Sequence, residues 1–248
     1  MSLSFLICAN VVLLCRLGLF FRDEPPTARA WAWAIVTELG MLVAAFEFST
    51  PLLAAAGATL AVNLVGRWRE TRPGPRNLAR WTLGALHLAA LSVCTASAHG
   101  MAFRPFWTEA GQALARHTTL APYLFAVGSP AAERILFALL LSANEANLLI
   151  RAVFERLDLK PRRTAGPDRS IVDEGEFNRG RIIGVLERIL LCFFILQGQF
   201  GAIGFVLAAK AFTRFKALDD RPFAEYVLIG TLLSACLALA IGILVRVG

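Results

Sequence analysis

Long apolar runs recur along the whole of this 248-residue sequence. The first covers Leu3–Phe21, and the second, Ala30–Gly66, is interrupted mainly by Glu38 and Glu47. A helix needs roughly 20 apolar residues to cross a bilayer, whereas an apolar strand of a soluble protein lasts about 4–8 residues between turns. With 57% hydrophobic residues and a mean hydropathy of +0.61, the composition agrees, and we predict an integral membrane protein.

The runs predict an all-α fold, a polytopic transmembrane helix bundle of about seven spans, with six also compatible. The predicted spans are Leu3–Phe21, two helices within Ala30–Gly66 that turn around Ser49-Thr50-Pro51, Trp81–Ala98, Pro130–Leu157, Ile182–Phe215 and Pro222–Val245. Helices one to five then occupy 1–158, with an amphipathic segment on the outer side near 100–128. A polar cytoplasmic linker follows at 159–181, and the last two helices fill 182–248.

The positive charges are grouped in short segments beside the apolar runs. The net charge is +7, and arginines crowd the turn at 67–80. Basic residues collect in cytoplasmic loops, so this distribution predicts a multi-pass protein of the bacterial cytoplasmic (inner) membrane and argues against nucleic-acid binding. Seven spans leave the amino terminus outside and the carboxyl terminus inside. Lys210, Arg214, Lys216 and Arg221 then lie outside, against the charge rule.

Polar side chains form a stripe along the predicted sixth helix. At 100° per residue, five of them project within about 80° of one another. They are Arg181, Arg188, Gln199, Lys210 and Arg214. The opposite side carries Gly198 and Gly201, which predict close packing on another helix.

The predicted fifth helix repeats this pattern. Its polar residues, also within about 80°, are Glu133, Asn144, Asn147, Arg151 and Glu155. Ionisable groups at bilayer depth are costly unless paired or hydrated, so the two stripes predict a polar, positively biased pocket between helices five and six. The candidate pocket residues are Arg188, Gln199, Lys210, Arg214, Asn144, Asn147, Arg151, Glu187 and Glu225. The alternative is that these residues are structural, as interhelical hydrogen bonds and headgroup contacts.

Signatures of enzymes and cofactors are weak in this sequence. The five cysteines stand singly, and His87 and His99 are too far apart for a metal pair on one helix face. We therefore predict no cofactor, no metal and no catalytic residue. On the second helix, Glu38 is more suggestive of function than Glu47, because Glu47 lies near a turn where water is available.

Four segments near the carboxyl terminus carry a family resemblance: Gly180–Arg188, Gln197–Phe205, Ala208–Phe215 and Phe223–Thr231. In this order they resemble a bacterial polytopic membrane family known only as a domain of unknown function, number 3307. The resemblance covers about residues 180–246, and the polar aromatic-acidic motifs of that family's amino-terminal part do not occur here. It implies a bacterial multi-pass protein and no particular reaction.

Three functions are compatible with these sequence features. The leading hypothesis is a small transporter or channel-like protein in which Arg188, Gln199 and Lys210 contact an anionic or polar solute. A non-catalytic membrane scaffold or regulatory subunit is the alternative, with a protein partner or a second copy of the chain on the glycine face. A lipid-acting enzyme using Glu187 or Glu225 ranks third, and membrane lipid is the partner common to all three.

Overall fold

The computed structural model describes residues 1–21, 24–96, 101–106, 109, 129–159, 174–213 and 221–247, which are almost entirely helical. The chain divides into two compact units, Met1–Leu140 and Leu141–Gly248. The helices are α1 (Leu3–Phe20), α2 (Ala28–Ala45), α3 (Thr50–Glu70), α4 (Arg76–Cys94), α5 (Pro130–Leu140), a π-helical turn (Leu141–Glu145), α6 (Ala146–Arg156), α7 (Glu174–Leu196), α8 (Phe200–Thr213) and α9 (Arg221–Val247). The all-helical prediction is confirmed for these residues.

Side-chain caps begin the first three helices where the sequence changes from polar to apolar. Ser2, Thr27 and Ser49 each accept a hydrogen bond from a backbone N–H three residues further on, at 3.2, 3.3 and 3.4 Å. Such a cap satisfies a donor that the first helical turn leaves unpaired. The predicted hairpin turn at Ser49–Pro51 is confirmed, with Pro51 in the first turn of α3.

The first unit packs α1 against α2, α4 and α5, and packs α3 against α2 and α4. Its apolar core joins all four amino-terminal helices and consists of Cys8, Val12, Leu42, Phe46, Leu52, Ala55 and Leu91. An isolated antiparallel bridge joins Phe46 to Phe103, whose rings stack at 4.7 Å. The predicted turn at 67–80 is shorter in the structure, because α3 continues to Glu70 and α4 already begins at Arg76.

The second unit is formed by the π-helical turn, α6, α7, α8 and α9. Leu191, Ala235 and Ala238 form a buried cluster between α7 and α9. At Gly242 the two helices approach so closely that a Cβ would lie 2.5 Å from Cγ2 of the buried Ile195. The division between units falls earlier than the predicted linker because α5 packs on α1, whereas the residues after it pack on α7 and α9.

The prediction of one continuous sixth helix is wrong. α7 ends at Leu196, α8 begins at Phe200, and Gly198 between them has φ of 71°, a left-handed conformation that favours glycine. The N–H of Gln199 donates to the carbonyl of Phe194 at 2.8 Å, as in a helix that ends on a left-handed glycine. α8 folds back on α7, so the two helices form a hairpin.

The break at Gly198 overturns two predictions that assumed a straight helix. Arg188 and Lys210 lie on different arms of the hairpin, so they are not members of one stripe. Gly198 and Gly201 do not share a helix face, because Gly198 lies in the turn. Gly201 is exposed, and a Cβ there would meet nothing within 4 Å among the described residues.

The structure also changes the predicted fifth helix and the predicted linker, and some predicted segments lie outside the described residues. The predicted fifth helix contains the π-helical turn, which interrupts the regular 100° spacing assumed for its stripe. α7 begins at Glu174, inside the predicted linker. Most of the predicted amphipathic segment at 100–128 lies outside the described residues, as do residues 160–173 and Arg214.

Four helical segments are long and apolar enough to cross a membrane: Leu3–Phe20, Ala28–Ala45, Pro130–Arg156 and Ala224–Val247. α8 is apolar but shorter. Large apolar side chains stand outward on these helices, including Trp33 at 72% exposure and Phe205 at 76%. Lipid is the solvent that suits such surfaces, so the prediction of a membrane protein with a helical bundle agrees with the fold.

Candidate functional site

Arg188 of α7 lies at the centre of a polar cluster in the second unit. Its side chain is 3% exposed. Its Nε donates to the carbonyl oxygen of Ser142 at 3.0 Å, and its two terminal nitrogens donate to Asn147 Oδ1 at 3.3 Å and to Ser234 Oγ at 3.4 Å. One buried guanidinium thus ties together the π-helical turn, α6 and α9.

The partners of Arg188 are all neutral. Within the described residues, no carboxylate lies within ion-pair distance of this guanidinium. The adjacent Glu187 instead pairs with Lys210 of α8, and that pair is partly exposed, at 18% and 16% of the two side chains. The Lys210 charge is therefore compensated, whereas the Arg188 charge is buried with hydrogen bonds and no counter-ion among these residues.

The π-helical turn presents one of the acceptors for Arg188. A π-helical turn shifts the backbone hydrogen-bond pattern by one residue, and such turns are frequent at functional sites. Here Ser142 is completely buried, and its carbonyl accepts from Arg188. Asn144 is also buried and donates to the Glu145 carboxylate at 2.9 Å. Sequence periodicity could not indicate this turn, because the 100° spacing assumes a regular α-helix throughout.

The structure brings together some predicted pocket residues and separates others. Arg188 contacts Asn147, and Glu187 contacts Lys210. Gln199 is exposed at the tip of the hairpin, Glu225 is exposed on α9, and Arg151 is half-buried on α6. The centre of the predicted pocket is therefore the contact between Arg188 and Asn147. Ser142 and Ser234 also contact Arg188, although they were not among the predicted pocket residues.

A second polar cluster lies in the first unit and was missed as a cluster. Glu38 of α2 is 1% exposed, and Asn63 of α3 donates to its Oε2 at 2.6 Å. The same Asn63 amide donates to the Thr59 carbonyl at 2.9 Å, and the Thr59 hydroxyl lies 3.0 Å from Nε2 of the buried His87. Four polar groups from three helices are thus connected inside an otherwise apolar core.

An ion pair lies toward the α3–α4 turn. Arg80 of α4 donates through Nε and a terminal nitrogen to both carboxylate oxygens of Glu70, at 2.6 and 2.7 Å. Arg16 of α1 donates to the Arg80 carbonyl oxygen at 2.7 Å, and both guanidiniums lie over the Phe20 ring at about 5 Å. This fork geometry suits a buried arginine–carboxylate pair.

A narrow cavity runs between this ion pair and the deeper polar groups. Its lining includes Glu70 and Arg69 near the turn and the buried Asn63, His87 and Trp31 further in. The indole N–H of Trp31 has no hydrogen-bond partner among the described residues. A spacing signal for the cluster exists in the sequence, because Thr59, Asn63, Gly66 and Glu70 recur on one face of α3.

The described residues contain no group of three or more His, Cys, Asp or Glu side chains arranged to hold a metal ion. What the geometry offers is a buried cation in the second unit and a buried carboxylate network in the first. Comparison of the chain with protein-family models, curated proteins and solved structures finds no match.

Proposed function

We propose that this chain is a multi-pass protein of the bacterial cytoplasmic membrane that binds and transports a small anionic solute at Arg188. The observation that carries the proposal is the burial of this guanidinium among neutral acceptors. A buried charge costs several kcal/mol of desolvation, which an opposite charge offsets. An anion is the missing opposite charge.

The hydrogen-bond lengths favour exchange of ligands at Arg188. The bond from Nε to Ser142 is 3.0 Å, whereas those from the terminal nitrogens to Asn147 and Ser234 are 3.3 and 3.4 Å. The longer bonds are the weaker ones, so an anion gains more at the terminal nitrogens than it displaces. The planar fork suits a carboxylate or a phosphate group, with the Asn147 and Ser234 side chains free to donate to the same oxygens.

Lys210 plays a lesser part in this proposal than the sequence argument gave it. Its ammonium group pairs with Glu187, so its charge is already balanced. We place Arg188 in contact with the solute and give the Lys210–Glu187 pair the role of holding the two arms of the hairpin together.

We also propose that both ends of the α7–α8 hairpin lie on the cytoplasmic side. Each apolar arm is about 15 residues, or roughly 22 Å, so the hairpin either crosses a thin bilayer twice or re-enters it. Both arrangements return the chain to the side it left. The predicted count of about seven spans becomes even, and the basic residues at 210–221 join those at 160–181, as the charge rule favours.

Ligand-dependent stability of the purified protein tests the anion site. Phosphate and succinate are compared with chloride at matched ionic strength, and unfolding is followed by tryptophan fluorescence. An anion at about 100 times its Kd adds roughly 2.7 kcal/mol, which raises Tm by roughly 5–10 °C for a chain of this size. The stabilising anion is then supplied as a labelled solute to proteoliposomes, and its uptake is measured.

Two variants make the result specific. R188Q should fold and lose both the thermal shift and the uptake, while R188K keeps the charge without the fork and should weaken both. R246Q is the control, since it removes one positive charge from an exposed position of the same unit. Uptake that persists in R188Q, or stabilisation that R246Q abolishes equally, contradicts the proposal, and stabilisation without uptake contradicts transport.

A further inference from the structure

The Glu38 carboxylate in the first unit is held on one oxygen and open on the other. Its Oε2 accepts from Asn63 at 2.6 Å, whereas its Oε1 is buried and has no hydrogen-bond partner among the described residues. A carboxylate has about four lone-pair positions to satisfy, and an unsatisfied charged oxygen in an apolar core is costly. Among the described residues, the only donor that approaches Glu38 besides Asn63 and Arg16 is therefore the weakly donating Cys15 thiol, and Oε1 is left without a hydrogen bond of normal length.

The charged and titratable groups that face Glu38 come from three neighbouring helices. Cys15 and Arg16 approach it from α1, and the Arg16 guanidinium acts on both Glu38 and His87 electrostatically. α3 contributes the Asn63 amide, and α4 contributes His87 through Thr59. Because a threonine hydroxyl both donates and accepts, it connects the imidazole to the wall of the space beside Glu38.

A cavity between α1, α2, α3 and α4 reaches two members of this network, Asn63 and His87, whereas Glu38 is not part of its lining. The cavity extends from Glu70, near the α3–α4 turn, to Asn63 and His87, a depth of about 10 Å along α3. The Trp31 N–H, for which the described part of the chain supplies no hydrogen-bond partner, lies on its wall. At its widest the cavity offers about the space of one water molecule.

The space beside Glu38 itself limits what it can bind. It is lined by Glu38, Thr59 and apolar side chains, and it has no room for a water-sized sphere. A sodium ion needs several oxygen ligands and more space than this. The Arg16 charge opposes any added positive charge at Glu38, a proton included, so the size of the space rather than its charge selects the ligand. A proton meets the limit of space, because it occupies no volume of its own, and it neutralises the buried carboxylate.

We propose that Glu38 is a proton-binding site that exchanges with the α3–α4 face of the first unit by way of Thr59, His87 and this cavity. On binding, a hydronium ion in the cavity gives a proton to His87 and becomes water. The Thr59 hydroxyl takes a proton from His87 and gives its own to the open Oε1, where an O–H bond forms and the carboxylate becomes a neutral acid. On release, the O–H bond at Oε1 breaks, the proton passes through Thr59 and His87 in the reverse order, and a water molecule in the cavity accepts it. The site is independent of the Arg188 proposal, since it lies in the other unit.

Infrared difference spectroscopy of the protein in lipid tests this site, because a protonated carboxyl absorbs at higher frequency than a carboxylate. Films are cycled between roughly pH 5 and 8, the range in which His also titrates. We expect a high-frequency carboxylic band that titrates in the wild type, shifts in D2O and is lost in E38Q. E133Q is the matched control, since Glu133 also accepts from an asparagine at 2.6 Å but is only half-buried.

Each result of the infrared experiment either supports or contradicts a proton site at Glu38. Loss of the band in E38Q with retention in E133Q supports the site, and a D2O shift supports access through the cavity. A band that E38Q retains, or that E133Q removes, overturns the assignment. If E38Q does not fold, the wild type still decides, because the absence of any titrating, D2O-sensitive carboxylic band contradicts a proton site at Glu38.

Discussion

The Arg80–Glu70 ion pair allows a quantitative test of the packing in the first unit. Arg80 makes two bonds of 2.6 and 2.7 Å to Glu70, and the two side chains are 3% and 8% exposed. Removing one member of a buried pair costs about 3–5 kcal/mol, because the other charge remains without its partner. The pair lies beside the exposed α3–α4 turn, so we take the lower end of this range.

We expect E70Q to lower the free energy of unfolding by about 3 kcal/mol, roughly a hundredfold in the unfolding equilibrium. R80M should cost slightly more, because the contact of the guanidinium with the Phe20 ring adds about 0.5–1 kcal/mol. The hydrogen bond from Arg16 survives in R80M, since it ends on the backbone carbonyl. The double variant should cost far less than the sum, with a coupling of at least about 2 kcal/mol.

Equilibrium unfolding in mixed micelles, followed by the fluorescence of the five tryptophans, measures these differences. The Glu187–Lys210 pair supplies an internal comparison, because it is more exposed and its coupling should be about 1 kcal/mol or less. Single variants of Glu70 and Arg80 that each cost under about 1 kcal/mol and add without coupling would refute the reasoning.

Two further predictions concern the second unit. If α9 starts on the cytoplasmic side as proposed, an alkaline phosphatase fused after Val247 in a bacterial host should be active and a fluorescent protein fused there should be dark. The reverse pattern contradicts the proposed hairpin topology. G242A should destabilise by about 1–3 kcal/mol, since its Cβ would lie 2.5 Å from Ile195 Cγ2, whereas G57A should be neutral or stabilising because nothing lies within 4 Å. Equal unfolding free energies for these two alanine variants would contradict the close approach of α7 and α9.

The membrane class and most helix positions follow from the sequence because their causes are local. Apolar run length, Ser and Thr caps and the proline near the start of α3 act within one or two helical turns. The predicted hairpin at Ser49–Pro51 and the seventh helix agree with α2, α3 and α9 within a few residues. The break at Gly198 was missed because averaging over a long apolar run hides a short Gln-Gly-Gln turn.

The candidate site was predicted only in part. Arg188 and Asn147 were identified because polar residues at bilayer depth are costly unless they are paired or hydrated. Ser142 and Ser234 were not predicted as part of the site, since each lies 46 residues from Arg188 and no local pattern connects them. Glu38 and His87 were considered only as separate residues, because no local pattern connects them either.

The sequence by itself determined that this chain is helical, suited to lipid and charged at defined ends of its apolar segments, because burial and capping depend on neighbours along the chain. Only the tertiary structure decided which polar groups meet. Asn63 reaches Glu38 across 25 residues and His87 reaches Thr59 across 28, and such pairings depend on how helices turn and pack against one another. A one-residue change of helical phase, as in the π-helical turn, moves a side chain by about 100° and changes its partner.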